Sequence, residues 1–167
     1  MILPVNQWGK NSNLIKILLK IPVPWVFVMT YLVGLIPQFL IPVKIHYQEA
    51  LSSVKIAGAI LFVIGAFFAS WSLIIFHNAR TTTTPGKRSN KLVISGPYLI
   101  SRNPMYISLI LAYLGETGLL AQIWPLILLP LSLVYINFIV IPLEEKVLKN
   151  DFKEEYEKYC TQVHRWL

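Results

Sequence analysis

The sequence has 167 residues, of which 55% are hydrophobic and only 14% are charged, and its formal net charge is +7. Soluble domains carry about a quarter charged residues, so this chain has too little charge to cover a globule with a polar surface. The composition excludes an ordinary soluble domain and predicts a single integral membrane domain. The basic residues lie between long apolar runs, which favours a role in membrane topology and contact with anionic headgroups over nucleic-acid binding.

The chain begins with a predicted interfacial arm and a first membrane span. Residues 1–20 carry apolar side chains at helical spacing beside lysines, which is typical of a cytoplasmic helix lying in the interface. Residues 21–43 are apolar and long enough to cross a hydrocarbon core about 30 Å thick. Pro22 and Pro24 suit the first turn of this span, and Pro37 predicts a kink.

Residues 56–76 form the second predicted span, and a basic loop follows it. Small residues give this span faces on which another helix can pack closely; they are Gly58, Gly65, Ala66 and Ala69. Residues 79–104 contain five basic residues and no acidic residue. The positive-inside rule places this loop in the cytoplasm, and its length indicates a functional rather than a merely connecting segment.

Residues 105–143 are apolar again and predict a membrane hairpin with a tight turn near residues 118–122. Glu116 and Gln122 lie in this turn, and we expect both to face the far aqueous side. The chain would then have four spans, with both termini and the loop at 79–104 on the cytoplasmic side.

The tail, residues 144–167, is charged but periodic. Its apolar residues recur at helical spacing; they are Leu148, Phe152, Tyr159 and Val163. This pattern predicts an amphipathic helix docked on the membrane surface or over the loop at 79–104. The predicted fold is therefore an all-α integral membrane protein with about four transmembrane helices, a C-terminal amphipathic helix and a cytosolic loop that forms the ligand site.

Sequence templates of soluble catalytic sites are missing. The chain contains no nucleophile elbow, phosphate-binding loop or dinucleotide fingerprint. Its three histidines lie on different segments and Cys160 is its one cysteine, so we predict neither a metal site nor an intrachain disulfide.

Two polar elements at the ends of the hairpin could carry chemistry. Arg102-Asn103-Pro104 predicts a helix start whose free N–H groups and guanidinium suit a carboxylate or phosphate; the alternative is an ordinary helix start with an arginine at the headgroups. Glu144-Glu145 could hold a ligand amine or accept a proton, or could be a solvated pair. The predicted hairpin brings the two elements to the same membrane face.

These residues carry a family resemblance. Lys91 to Tyr98 (KLVISGPY), Ser101 to Tyr106 (SRNPMY), the glutamate pair and the ending VHRWL together resemble the signature of the isoprenylcysteine carboxyl methyltransferase and phospholipid methyltransferase superfamily, in its short bacterial form. The resemblance covers roughly residues 55–167.

The resemblance implies an S-adenosylmethionine-dependent membrane methyltransferase, with the cofactor entering from the cytosol. Its lipophilic acceptor, a prenylcysteine carboxylate-like group or a lipid amine, would arrive laterally from the bilayer. By position, the resemblance implies catalytic roles for Glu145 and Arg102. It implies a cofactor site formed by Tyr98, Arg102, Asn103, Pro104, Met105, Tyr106, Glu144 and Glu145.

The sequence also departs from the superfamily pattern. Asn103 stands where the prenylcysteine enzymes have a histidine, so this side chain cannot titrate near neutrality, and Ser108 stands where a glycine is usual. No arginine directly precedes Glu144, where many members of the superfamily have one, so Arg102, Arg80 or Arg165 would supply any positive charge. Two alternatives stay open: a four-span transporter or channel subunit, which predicts an ionisable residue within a span, and a non-catalytic membrane scaffold.

Overall fold

The computed structural model describes residues 21–43, 48–79 and 91–167. The predicted arm at 1–20 and the part of the basic loop at 80–90, including Arg80, lie outside the described residues. The helices are α1 (Val23–Leu40), α2 (Gln48–Asn78), α3 (Pro104–Leu119), α4 (Ile123–Tyr135) and α5 (Ile141–Gln162), with a short 3-10 helix at Gly96–Leu99. The described ranges contain no strand, and the predicted all-α class is confirmed.

Three helices are long and apolar enough to cross a membrane: α1, α2 from Glu49 onward, and the helix that runs from Ile123 to Gln162. This last helix is unbroken at the junction of α4 and α5, because a π-helical turn, Ile136–Val140, joins them. α3 has 16 residues, which is about 24 Å at the α-helical rise and less than the ~30 Å hydrocarbon core. The membrane prediction is confirmed, and α3, the first half of the predicted hairpin, is a helix shorter than a full span.

The contact between α2 and α3 depends on glycine. A Cβ added to Gly65 would lie 2.8 Å from the backbone nitrogen of Ala112. A Cβ on Gly58 would collide with the backbone nitrogen of Leu119. The two backbones therefore approach as closely as small residues permit, as predicted for Gly58 and Gly65, whereas Ala66 is exposed on another face.

α1 packs along α4, and polar side chains fix the ends of the two helices. The Gln38 side-chain oxygen accepts hydrogen bonds from the backbone N–H groups of Ile123 (3.2 Å) and Trp124 (3.3 Å), which caps α4. The Tyr31 hydroxyl donates to Oε1 of Gln122 at 2.6 Å. Gln122 therefore joins α1 to the turn that precedes α4.

The predicted tight turn at 118–122 is confirmed, and it connects α3 to α4. The Gln122 N–H donates to the Thr117 carbonyl (2.8 Å) and the Ala121 N–H to the Gly118 carbonyl (3.0 Å). Ala121 has φ 52°, the left-handed conformation that usually selects glycine at this position. The turn reverses the chain within three residues.

The C-terminal helix differs from the sequence prediction at its start. Glu144 does not begin a helix, because α5 continues from α4 through the π-helical turn. Further along, Lys153 has non-helical backbone angles (φ 45°) that change the direction of α5. Tyr156, Tyr159 and Val163 then pack against Leu92. The tail thus docks over the loop segment that follows α2, one of the two predicted arrangements.

Candidate functional site

The 3-10 helix places the loop against the end of α2. Gly96 has φ +60°, and a Cβ there would lie 3.1 Å from both Trp71 Nε1 and Ile75 Cγ1. Only glycine adopts this positive φ without strain and also fits the limited space beside Trp71 and Ile75. Two residues later, the Tyr98 ring packs edge-to-face on Phe76 with centroids 5.2 Å apart. These contacts fix the backbone from which Ser101, Arg102 and Asn103 project.

The segment 101–103 is also held by the end of the chain. The Arg102 N–H donates to the His164 carbonyl at 2.9 Å. The carbonyl of Arg165 accepts two hydrogen bonds, one from Ser101 Oγ (3.1 Å) and one from Asn103 Nδ2 (2.9 Å). The Asn103 amide therefore binds the C-terminal segment.

Glu145 lies at the centre of an ion-pair cluster. Arg165 donates to it from Nε (3.0 Å) and Nη2 (2.6 Å), a bidentate geometry that gives strong, directional binding. Arg102 Nη1 lies 3.2 Å from Glu145 Oε1. The two elements singled out in the sequence therefore meet, and two guanidinium groups neutralise one carboxylate.

Arg102 has further partners on α5. Its Nη1 donates to Cys160 Sγ at 2.7 Å and to the Tyr156 hydroxyl at 3.4 Å. Burial lowers the pKa of the guanidinium, but Glu145, Cys160 and Tyr156 together more than offset this and leave the pKa above its ordinary value, so the group stays charged. Its Nε is buried with no hydrogen-bond partner among the described residues.

Glu144 has a different environment from its neighbour. The buried Tyr106 hydroxyl donates to Glu144 Oε1 at 2.7 Å. No second hydrogen bond or ion pair to Glu144 is found within the described part of the chain, so its other oxygen can still accept. Tyr98 lies close enough for Glu144 to act on it electrostatically. Burial, followed by the neighbouring Tyr159 and Glu144, raises the pKa of the Tyr98 phenol, which keeps the hydroxyl neutral.

The remaining predicted residues are placed in the first turn of α3. Pro104 is fully buried and begins the helix, as the sequence predicted. Met105 is half-buried, and its carbonyl accepts a hydrogen bond from Ser108 Oγ at 2.6 Å. The Ser108 hydroxyl is therefore satisfied by its own helix.

Three members of the cluster, Tyr156, Cys160 and Arg165, are not among the residues predicted for the site. Tyr156 and Cys160 are four residues apart and share one face of α5, which was the available signal for placing them together. Arg165 was considered only as one of three possible sources of positive charge. The bidentate pair with Glu145 shows that Arg165 is a principal partner.

The groups assembled here suit a zwitterionic ligand. A free carboxylate oxygen on Glu144 can accept from an ammonium group, and the unpaired N–H of Arg102 Nε can donate to a carboxylate. The buried side chains of Tyr98 and Tyr106 lie close to Glu144. The arrangement places groups of both charges at the end of the membrane helices, which could hold a zwitterionic small molecule.

A comparison with protein families gives a match over residues 54–155 to the family described as phospholipid methyltransferase. The matched range extends from α2 into α5 and contains both Arg102 and the glutamate pair. No curated protein and no solved structure matches the chain.

Proposed function

Because the chain belongs to the phospholipid methyltransferase family and is a membrane methyltransferase, we propose that it transfers a methyl group from S-adenosylmethionine to a lipophilic acceptor. The observation that carries this proposal is the convergence of Arg102, Glu144 and Glu145 at the end of the apolar helices. The family assignment favours this function over the transporter and scaffold alternatives.

We assign different roles to the two glutamates. Glu145 already binds Arg102 and Arg165, so it positions Arg102 rather than meeting the cofactor's ammonium group. Glu144 has one oxygen bound to Tyr106 and is the carboxylate available for that ammonium. The unpaired Arg102 Nε–H suits the carboxylate of the same molecule. The donor set therefore fits the amino-acid end of S-adenosylmethionine.

S-adenosylmethionine, when bound, supplies a methyl group already activated by its sulfonium. The chain's own residues then have to align the acceptor and exclude water. Tyr106 fixes the orientation of Glu144 through its hydroxyl. Asn103 is not a proton acceptor, because an amide does not titrate and its Nδ2 is bound to the Arg165 carbonyl. The proposed acceptor is thus a group that needs no base at this position, either a carboxylate or a lipid amine in its neutral form.

The direct test of this proposal is methyl transfer into lipids. Purified protein in lipid nanodiscs would be incubated with methyl-labelled S-adenosylmethionine and a total lipid extract, and the organic phase would be counted. We expect label in that phase, and mild base separates the two acceptors because it releases methanol from a methyl ester but not from an N-methyl amine.

A matched pair of variants makes the test specific. Glu144→Gln removes the proposed ammonium partner and should abolish transfer, whereas Glu154→Gln makes the same chemical change on an exposed position of α5 and should retain it. The proposal would be contradicted if folded wild-type protein transferred no label to the lipids. It would also be contradicted if the two variants transferred label equally.

A further inference from the structure

Two large apolar residues stand exposed beside the candidate site. Leu99 and Ile100 have exposed fractions of 64% and 49%. The residues on either side are buried: Tyr98 is 6% exposed and Ser101 is 1% exposed. The Ile100 N–H donates to the Pro97 carbonyl at 3.1 Å, so the backbone that presents the pair is fixed.

The position of the 3-10 helix on α2 shows the depth of this pair. Tyr98 packs on Phe76, which is the last apolar residue of α2 before its polar end at His77. On the adjacent turn of α2, Leu73 and Ile74 have exposed fractions of 50% and 56%, as expected of side chains that face lipid. The 3-10 helix therefore lies beside the apolar end of α2, on the membrane side of the polar residues His77 and Asn78 that end this helix.

We propose that Leu99 and Ile100 insert into the acyl-chain region of the surrounding bilayer and anchor the candidate site at the membrane surface. Their exposed side chains lie at the level of the apolar end of α2, where Leu73 and Ile74 are also exposed, so the occupant that fits is lipid hydrocarbon. Arg102 follows Ile100 by two residues, so the anchor would hold the ion-pair cluster at the edge of the lipid.

The anchoring does not depend on the proposed reaction, although its consequence does. If the acceptor is lipophilic, this edge is where its reactive group would meet Arg102 and Glu144. A measurement of depth in the bilayer tests the anchor alone, without cofactor or turnover, so its failure is distinguishable from failure of the methyltransferase proposal.

The experiment places a spin label at position 99 or 100, as Leu99→Cys or Ile100→Cys in a Cys160→Ser background, in nanodiscs of phosphatidylcholine. We expect greater collisional accessibility to oxygen, which partitions into lipid, than to a water-soluble nickel chelate. The control label, Glu154→Cys in the same background, should show the opposite preference because Glu154 is exposed on a charged part of α5.

A second measurement leaves Cys160 in place, since that residue contacts Arg102. Leu99→Trp should gain fluorescence quenching by lipids brominated on their acyl chains, relative to the parent protein. A label at 99 with the nickel preference of the Glu154 control would overturn the proposal. The proposal would also be overturned if neither oxygen nor the nickel chelate reached the label at 99 and the labels of two molecules lay a short distance apart. That result would show that position 99 contacts a second copy of the chain.

Discussion

Arg165 binds Glu145 through two parallel hydrogen bonds, from Nε at 3.0 Å and from Nη2 at 2.6 Å. The backbone carbonyl of the same arginine accepts from Ser101 and Asn103. One residue thus links the glutamate pair on α5 to the loop that carries Arg102. The C-terminal segment holds the two halves of the candidate site in register.

Replacing Arg165 tests this link. Arg165→Gln leaves Glu145 with Arg102 alone, and loss of charge-assisted hydrogen bonds should weaken binding of S-adenosylhomocysteine about tenfold or more. Arg165→Lys retains the charge but not the bidentate geometry and should recover only part of the affinity. Isothermal titration calorimetry in detergent measures both variants. Wild-type affinity for Arg165→Gln would show that the pair does not position the site.

Asn103 gives a prediction about the C-terminal segment itself. Asn103→Ala removes the Nδ2 donor to the Arg165 carbonyl, which keeps only its bond from Ser101. We expect a free energy of unfolding lower by about 1 kcal/mol and weaker binding of S-adenosylhomocysteine. Asn103→His, which restores an N–H donor, should recover stability. Thermal unfolding followed by circular dichroism measures the stability of these variants. Equal melting temperatures for wild type and the alanine variant would show that the Asn103 side chain does not stabilise the C-terminal segment.

The packing of α2 on α3 makes Gly58 intolerant of any side chain. A Cβ at Gly58 meets the backbone of Gly118 at 2.6 Å, and backbone cannot rotate away as a side chain can. Gly58→Ala should lower the free energy of unfolding by about 1–3 kcal/mol through overpacking. The control, Ala66→Leu, enlarges an exposed position of the same helix and should change the melting temperature little. Similar behaviour of the two variants would refute the close crossing.

A substitution at Ala121 should raise the free energy of unfolding, whereas Gly58→Ala should lower it. The Ala121 φ of 52° is unfavourable for a residue with a Cβ, so Ala121→Gly should raise the free energy of unfolding by about 1 kcal/mol. Ala66→Gly, in the interior of α2, should instead destabilise the protein by a similar amount. Melting temperatures measured in one detergent compare the two substitutions. A destabilised Ala121→Gly variant would argue against the left-handed turn.

Much of this fold could be predicted from the sequence, because long apolar runs and small residues directly reflect membrane burial and close helix packing. The second span is extended in the structure to Gln48–Asn78, since polar residues can continue a helix beyond the apolar run that reveals it. The continuity of the last helix was missed for a related reason. The charge change at Glu144 marks the end of the apolar segment, but α5 continues through it.

The candidate site was predictable in outline but not in its pairings. The predicted hairpin brings Arg102 near the glutamate pair, and the 3.2 Å contact between Arg102 Nη1 and Glu145 Oε1 confirms this proximity. The sequence could not distinguish the roles of the two glutamates, because adjacent acids have the same local pattern. Their difference comes from tertiary partners, Tyr106 for Glu144 and Arg165 for Glu145. Helical spacing alone does not identify such distant partners.

The central claim is tested most directly by calorimetric titration of S-adenosylhomocysteine into the purified protein in nanodiscs, comparing Glu144→Gln with the exposed control Glu154→Gln. We predict that wild type and Glu154→Gln bind alike and that Glu144→Gln binds about ten- to a hundredfold more weakly, because it lacks the charge that meets the ligand ammonium. Failure of the folded wild-type protein to bind, or equal binding by both variants, would contradict the account.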